Sequence, residues 1–130
     1  MSTKLHMSFG EAVEQTTRAL ADQGFGVLTT IDVKATLKQK LGAQMEDYLI
    51  LGACNPSLAH RALTVDRHLG QLLPCNVVVR ADPSDNTVLV EAMDPQMMVR
   101  VTEQPALQDV ADEASAKLRA AVGSLVETAR

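Results

Sequence analysis

Tryptophan is absent from the 130 residues, and one Tyr and two Phe are the only other aromatic side chains of that kind. So few rings leave almost nothing on which single-stranded bases could stack. An excess of positive charge is missing too: twelve Lys and Arg stand against sixteen Asp and Glu, a formal net charge of −4. No basic field attracts phosphates or anionic lipid, so nucleic acid is not an expected partner. No apolar run approaches the ~20 residues needed to cross a bilayer. The stretch Met1 to Phe9 lacks the basic start and apolar run of a secretory signal. No membrane is expected. Two cysteines are too few for a disulfide framework, which makes the cytoplasm the expected compartment and both thiols reduced.

What remains is ordinary in amount and informative in order. Hydrophobic residues are 46% and charged residues 22% of a 14.0 kDa chain, typical of a globular protein. Surface scaling gives about 20,000 Å² unfolded and roughly 6,700 Å² folded. That is enough burial for a core without staples, and one domain over residues 1–130 is expected.

Ser8 with Glu11 three residues later forms a capping box. Phe9, Val13, Thr16 and Leu20 then recur at helical spacing, and Gly24 suits the left-handed residue just past the helix end. Before it, Lys4 to Met7 is expected as a short edge strand. Val27 to Ile31 is β-branched and short, which predicts a strand. Asp32 caps a second helix with Val33, Leu37 and Leu41 on one face and Gly42 at its end. Lys34, Lys38 and Lys40 occupy mostly other faces of that helix, as solvated side chains do.

Tyr48 to Ala53 is apolar at nearly every position, as expected of a central strand covered on both faces. Asn55-Pro56 starts another helix, with Leu58, Ala62, Val65 and Leu69 at helical intervals and a restart at Asp66. Leu72 to Val79 predicts the next strand, with Pro74 confined to its beginning. Asp82 to Asn86 is a turn by composition, and residues 76–93 read as an antiparallel hairpin. Asp94-Pro95 begins a brief turn bearing Met97 and Met98. Pro105 opens the last helix, along which Leu107, Val110, Ala114, Leu118, Ala121 and Leu125 share a face. The fold class is α+β: a two-layer arrangement of a mostly antiparallel sheet with helices on one face.

The cysteines are the most interesting residues for chemistry. Cys54 is followed by Asn55 and Pro56 where a strand hands over to a helix; Cys75 lies between Pro74 and Asn76 where the next strand begins. Their spacing is neither CxxC nor that of a zinc finger. If the two strands are antiparallel the thiols lie at one end of the sheet and can approach; if parallel, they are at opposite ends. The short intervening helix favours the first. An adjacent pair at a helix N-terminus suits reversible disulfide chemistry or a soft ion such as Cu(I) or Zn(II). Against this stands the common fate of free cysteine, a small buried hydrophobe.

His6, His60 and His68 share no ligand spacing and read as surface or cap residues. Met93, Met97 and Met98 are soft-ligand types but equally fill interfaces. Asp32, Asp66 and Asp94 each begin a helix and are explained as caps. No nucleophile elbow, phosphate loop, dinucleotide fingerprint or zinc-protease motif occurs. Nothing assembles a nucleophile, a base and an oxyanion site.

The run from Ser8 through Val79 resembles the bacterial and archaeal family named domain of unknown function 302. The residues behind the resemblance are Gly24-Phe25-Gly26-Val27 with Ile31-Asp32-Val33-Lys34, the segment Ile50 to Pro56, and Leu72 to Val77. With the terminal helix the likeness covers nearly the whole chain. It implies a βα unit, several antiparallel strands and a final helix, often assembled as a dimer; it implies no activity. One departure is Thr64-Val65-Asp66-Arg67-His68, where family members commonly have proline after the aspartate.

The expected function is a small non-enzymatic binding module holding a small ligand or soft metal ion near Cys54, Asn55, Cys75 and Asn76. The alternatives are a thiol redox or sulfur-handling protein using the same cysteines, and a structural or partner-binding homodimer in which they only pack.

Overall fold

Five strands and five helices are arranged along residues 1–128, the part of the chain described by the computed structural model. The strands are β1 (Ser2–Leu5), β2 (Gly26–Asp32), β3 (Tyr48–Cys54), β4 (Cys75–Asp82) and β5 (Thr87–Ala92). The helices are α1 (Phe9–Asp22), α2 (Val33–Leu41), α3 (Pro56–Val65), α4 (Met97–Thr102) and α5 (Gln108–Thr128). One sheet takes all five strands in the order β1-β5-β4-β3-β2, with every neighbour antiparallel. The expected α+β class holds, and the sheet is wholly rather than mostly antiparallel.

Local chemistry places the elements. Ser8 Oγ accepts from the Glu11 N–H and donates to the Glu11 carboxylate, closing the start of α1. Gly24 follows that helix at φ +84°, the left-handed conformation that glycine adopts without strain. Asp32 accepts from the Ala35 N–H and Asn55 from the Leu58 N–H, so α2 and α3 begin on the residues expected. Asp66 then caps a 3-10 turn over Arg67–Leu72 by accepting from the His68 N–H.

The inner sheet face meets α1 and α5 in one core that includes Leu5, Leu20, Leu51, Val77, Val90 and Leu118. A second core unites α3, the 3-10 turn, α4 and the first half of α5 through Leu58, Leu69, Met98, Leu107 and Val110. The apolar face read along the last helix is buried in full, from Leu107 to Leu125.

Three boundaries or burials differ from expectation. The first strand is Ser2–Leu5 rather than residues 4–7, because its pairing with β5 runs from Ser2 opposite Glu91 to Leu5 opposite Val88. The fourth strand starts at Cys75 rather than Leu72, since the 3-10 turn over Arg67–Leu72 consumes Leu72. In β3 only Leu51, Gly52 and Ala53 are buried, so the strand is not covered on both faces along its length. The stripe Val33, Leu37, Leu41 forms on α2, yet none of that helix is buried and Leu41 is 74% exposed.

Candidate functional site

A cavity of about 30 Å³ opens where the two cores abut, at the end of the sheet shared by Cys54 and Cys75. Phe25, Ala53 and Cys75 reach it from the sheet-side core, and Leu58, Met98 and Val110 from the helical core. The remaining wall includes Cys54, Asn55, Leu73 and Pro74. A water molecule needs roughly 10–15 Å³ of such space, so the cavity accommodates about two or three water-sized groups.

The chain routing matches expectation: β3 and β4 are antiparallel, with both cysteines at one end. The approach of the thiols does not follow. Cys75 pairs with Ala53, while Cys54 pairs with Gly26 of β2. Side chains alternate across a sheet, so Cys75 shares the inner face with Ala53 and Cys54 is sent to the other side. The two cysteines are not near each other and both are free. The expected adjacent pair is thus overturned by a single residue of register.

Cys75 is buried and Cys54 half-buried. Burial, and to a smaller extent repulsion from Cys54, pushes the Cys75 thiol from 9.0 up to about 11. It is a neutral thiol at physiological pH, unlike the low-pKa thiolate of a redox nucleophile.

Asn55 lines the cavity and is buried, but its carboxamide is occupied. Oδ1 accepts from the Leu58 N–H at 3.3 Å, and Nδ2 donates to the Gln23 carbonyl at 3.5 Å. The side chain therefore ties the start of α3 to the end of α1. Asn76 is exposed, and its carbonyl accepts from the Met93 N–H at 3.0 Å. It stands one residue beyond the cavity wall.

Of the three methionines read as soft-ligand types, only Met98 reaches the cavity; Met97 is exposed and Met93 packs against the sheet-side core. His6, His60 and His68 are exposed. Among the described residues no three His, Cys, Asp or Glu gather as metal ligands. That set excludes thioethers, and sulfur is what this wall supplies: two thiols and one thioether. Phe25, Leu58 and Pro74 were not singled out as site residues, because each is individually an ordinary packing residue.

The family model described as domain of unknown function DUF302 matches residues 1–125. The chain belongs to this family. No curated protein matches it. A solved structure similar to this DUF302 chain is that of an uncharacterized conserved protein DUF302 from Bacillus stearothermophilus. The two are 28% identical with a TM-score of 0.86, over 100% of this chain and 97% of that one. No helix among the described residues of this DUF302 chain is long and apolar enough to cross a membrane.

Proposed function

We propose that this DUF302 protein is a non-enzymatic binding module whose seat is the cavity between its two cores, and that the ligand is a single soft metal ion. One observation supports the reading above the others: the sulfurs of Cys75 and Met98 belong to residues that line one cavity of about 30 Å³. A space of about two or three waters suits an ion, and thiol and thioether donors select Cu(I) over harder ions. Binding would displace the Cys75 proton, so affinity rises with pH. Cys75 and Met98 are the two donors; Cys54, sent to the other side of the sheet from Cys75, takes no part in the coordination. Asn55 fixes the wall without ligating. A thiol redox protein using the same residues has less support, since it needs two neighbouring sulfurs and one ready thiolate.

The test is titration of Cu(I) alone, without oxygen, against a coloured Cu(I) chelator. One ion per chain is expected, with at least hundredfold weaker binding in Cys75→Ala and unchanged binding in Cys54→Ala. Met98→Leu, which conserves volume, should weaken binding about tenfold while leaving the melting temperature unchanged. Equal competition by wild type, Cys75→Ala and Met98→Leu, or none by wild type, overturns the reading.

We also propose that the module works as a homodimer, which light scattering of the full chain would show as a mass of about 28 kDa, twice the 14.0 kDa chain.

A further inference from the structure

Both donors of the proposed seat are shut in: Cys75 is 8% exposed and Met98 3%. An ion arriving from water therefore needs part of the wall to move. Most of the wall is fixed. Cys75 lies in the β3–β4 ladder, Pro74 packs over Gly52, and Val110 belongs to the 21-residue α5. α3 is capped by Asn55 and ion-paired to α5 through Arg61 and Glu113.

The segment 96–104, which carries α4, is held differently. Its backbone hydrogen bonds close within itself or onto its flanks: Met97 donates to Asp94, Met98 to Pro95, Arg100 to Gln96 and Glu103 to Val99. A six-residue helix has little stability of its own, and the buried residue of α4 is Met98 alone. Pro95 and Leu107, both fully buried, anchor the span at either end. Glu103 turns left-handed at φ 54° where α4 stops, a conformation uncommon for a residue with a Cβ, and so marks a bend. Among the described residues, the polar ties from this segment to the fold beyond its flanks all run through Gln96. Its Nε2 donates to Asp112 Oδ1 at 2.9 Å and to the buried Ser115 Oγ at 3.3 Å, and its Oε1 accepts from Gln108 Nε2 at 2.9 Å.

We propose that α4 is a gate that swings between these anchors with Gln96 as its latch on α5, admitting the ion to Cys75 when open and laying the Met98 thioether on it when closed. The inference rests on the soft-ion reading above and adds the route of entry. Latch and donor sit two residues apart on one element, so closing the wall and completing the ligand set are a single movement. Opening uncovers Met98 and the half-buried Val99 but breaks no rung of the sheet. Asp112 and Gln108 are exposed, so water takes over their side of the latch when it parts. Such a local opening lies well below global unfolding in free energy, and an ion that Met98 grips only in the closed form draws the gate shut.

Two measurements on the full chain test the gate, for wild type, Gln96→Ala, Gln108→Ala and Arg61→Ala. One is hydrogen exchange of the ion-free protein, read by mass spectrometry over residues 96–104 and over α3. The other is the rate of Cu(I) uptake, without oxygen, from a coloured chelator. Gln96→Ala is expected to exchange at least tenfold faster over 96–104 with α3 unchanged, and to take up Cu(I) at least tenfold faster. Gln108→Ala, which removes one of the latch bonds from an exposed position, should show a smaller rise in both. Arg61→Ala, which loosens α3 instead, should take up Cu(I) at the wild-type rate. Unchanged exchange over 96–104 in both latch variants overturns the gate. Faster exchange with unchanged uptake also overturns it and leaves the seat standing. Faster uptake in Arg61→Ala alone overturns it in favour of entry past α3. A wild type that takes up no Cu(I) overturns the seat, and the gate with it.

Discussion

Cys75 faces Ala53, not Cys54, across the β3–β4 ladder. One residue of register thus separates a buried neutral thiol from a half-buried one on the opposite side of the sheet. The difference has a direct chemical readout. At pH 7 a thiol raised from 9.0 to about 11 holds roughly a hundredfold less thiolate, one decade per pH unit. Alkylation of the native protein should therefore show one fast thiol, Cys54, and one that reacts only on unfolding. Two fast thiols in a native-state assay would contradict this burial.

The same thiol makes stability depend on alkaline pH. The folded protein keeps the Cys75 proton up to about 11, whereas the unfolded chain releases it near 9.0. The unfolded state therefore binds fewer protons between those values, and stability falls as pH rises through that window. The contribution is intact below pH 9, and its full loss amounts to about 3 kcal/mol at 1.36 kcal/mol per unit. Urea titrations at pH 8 and pH 10.5 should show the fall in wild type and a shallower one in Cys75→Ala.

Gly24 and Asn55 are coupled across the junction of α1 and α3. A Cβ at Gly24 would lie 3.0 Å from Asn55 Nδ2, on a backbone at φ +84°. Gly24→Ala should cost about 1–3 kcal/mol from strain and crowding together. Asn55→Ala should cost about 1–2 kcal/mol by uncapping α3. In the double variant the crowding is gone while the backbone strain remains. The combined loss is expected to be smaller than the sum, by about 0.5–1 kcal/mol in a double-mutant cycle.

Much of this architecture was legible because local signals and burial agreed. Ser8, Asp32, Asn55 and Asp66 each cap the element they were expected to start. The face from Leu107 to Leu125 is both periodic and buried. The α2 stripe of Val33, Leu37 and Leu41 holds as a pattern yet none of it is buried, since periodicity reports which residues share a face and not what covers it. The site was legible only in part. That Cys54 and Cys75 occupy one end of the sheet follows from antiparallel routing, but their separation depends on register. Register is fixed by long-range pairing, and a shift of one residue reverses the face. Met98 entered the wall for a similar reason: the fold of α4 onto α5, not any motif, brings it there.

Gly52 shows how tightly the outer side of β3 is filled near Cys54. A Cβ there would overlap Thr29 Oγ1 and come within 2.9 Å of Pro74 Cγ. Gly52→Ala should destabilise by about 1–3 kcal/mol as an overpacked site. Adding Thr29→Ala removes the worse contact but not the proline. Chemical denaturation should therefore show partial recovery in the double variant. Full recovery would mean that Pro74 moves away freely.

Thr16 offers the opposite case, a position where the native residue is not the most stable one. It faces the core from α1, only 2% exposed, and its hydroxyl has no hydrogen-bond partner among the described residues. A buried hydroxyl left unpaired costs about 1–3 kcal/mol in lost hydration. Thr16→Val keeps the β-branched shape and the helix propensity nearly constant, so the desolvation cost is the main thing removed. The variant should be more stable by about 1 kcal/mol, raising the melting temperature by roughly 4 °C for a chain of this size. A loss of comparable size would show instead that the hydroxyl is bonded in solution, and that this part of α1 is held by a polar contact as well as by packing.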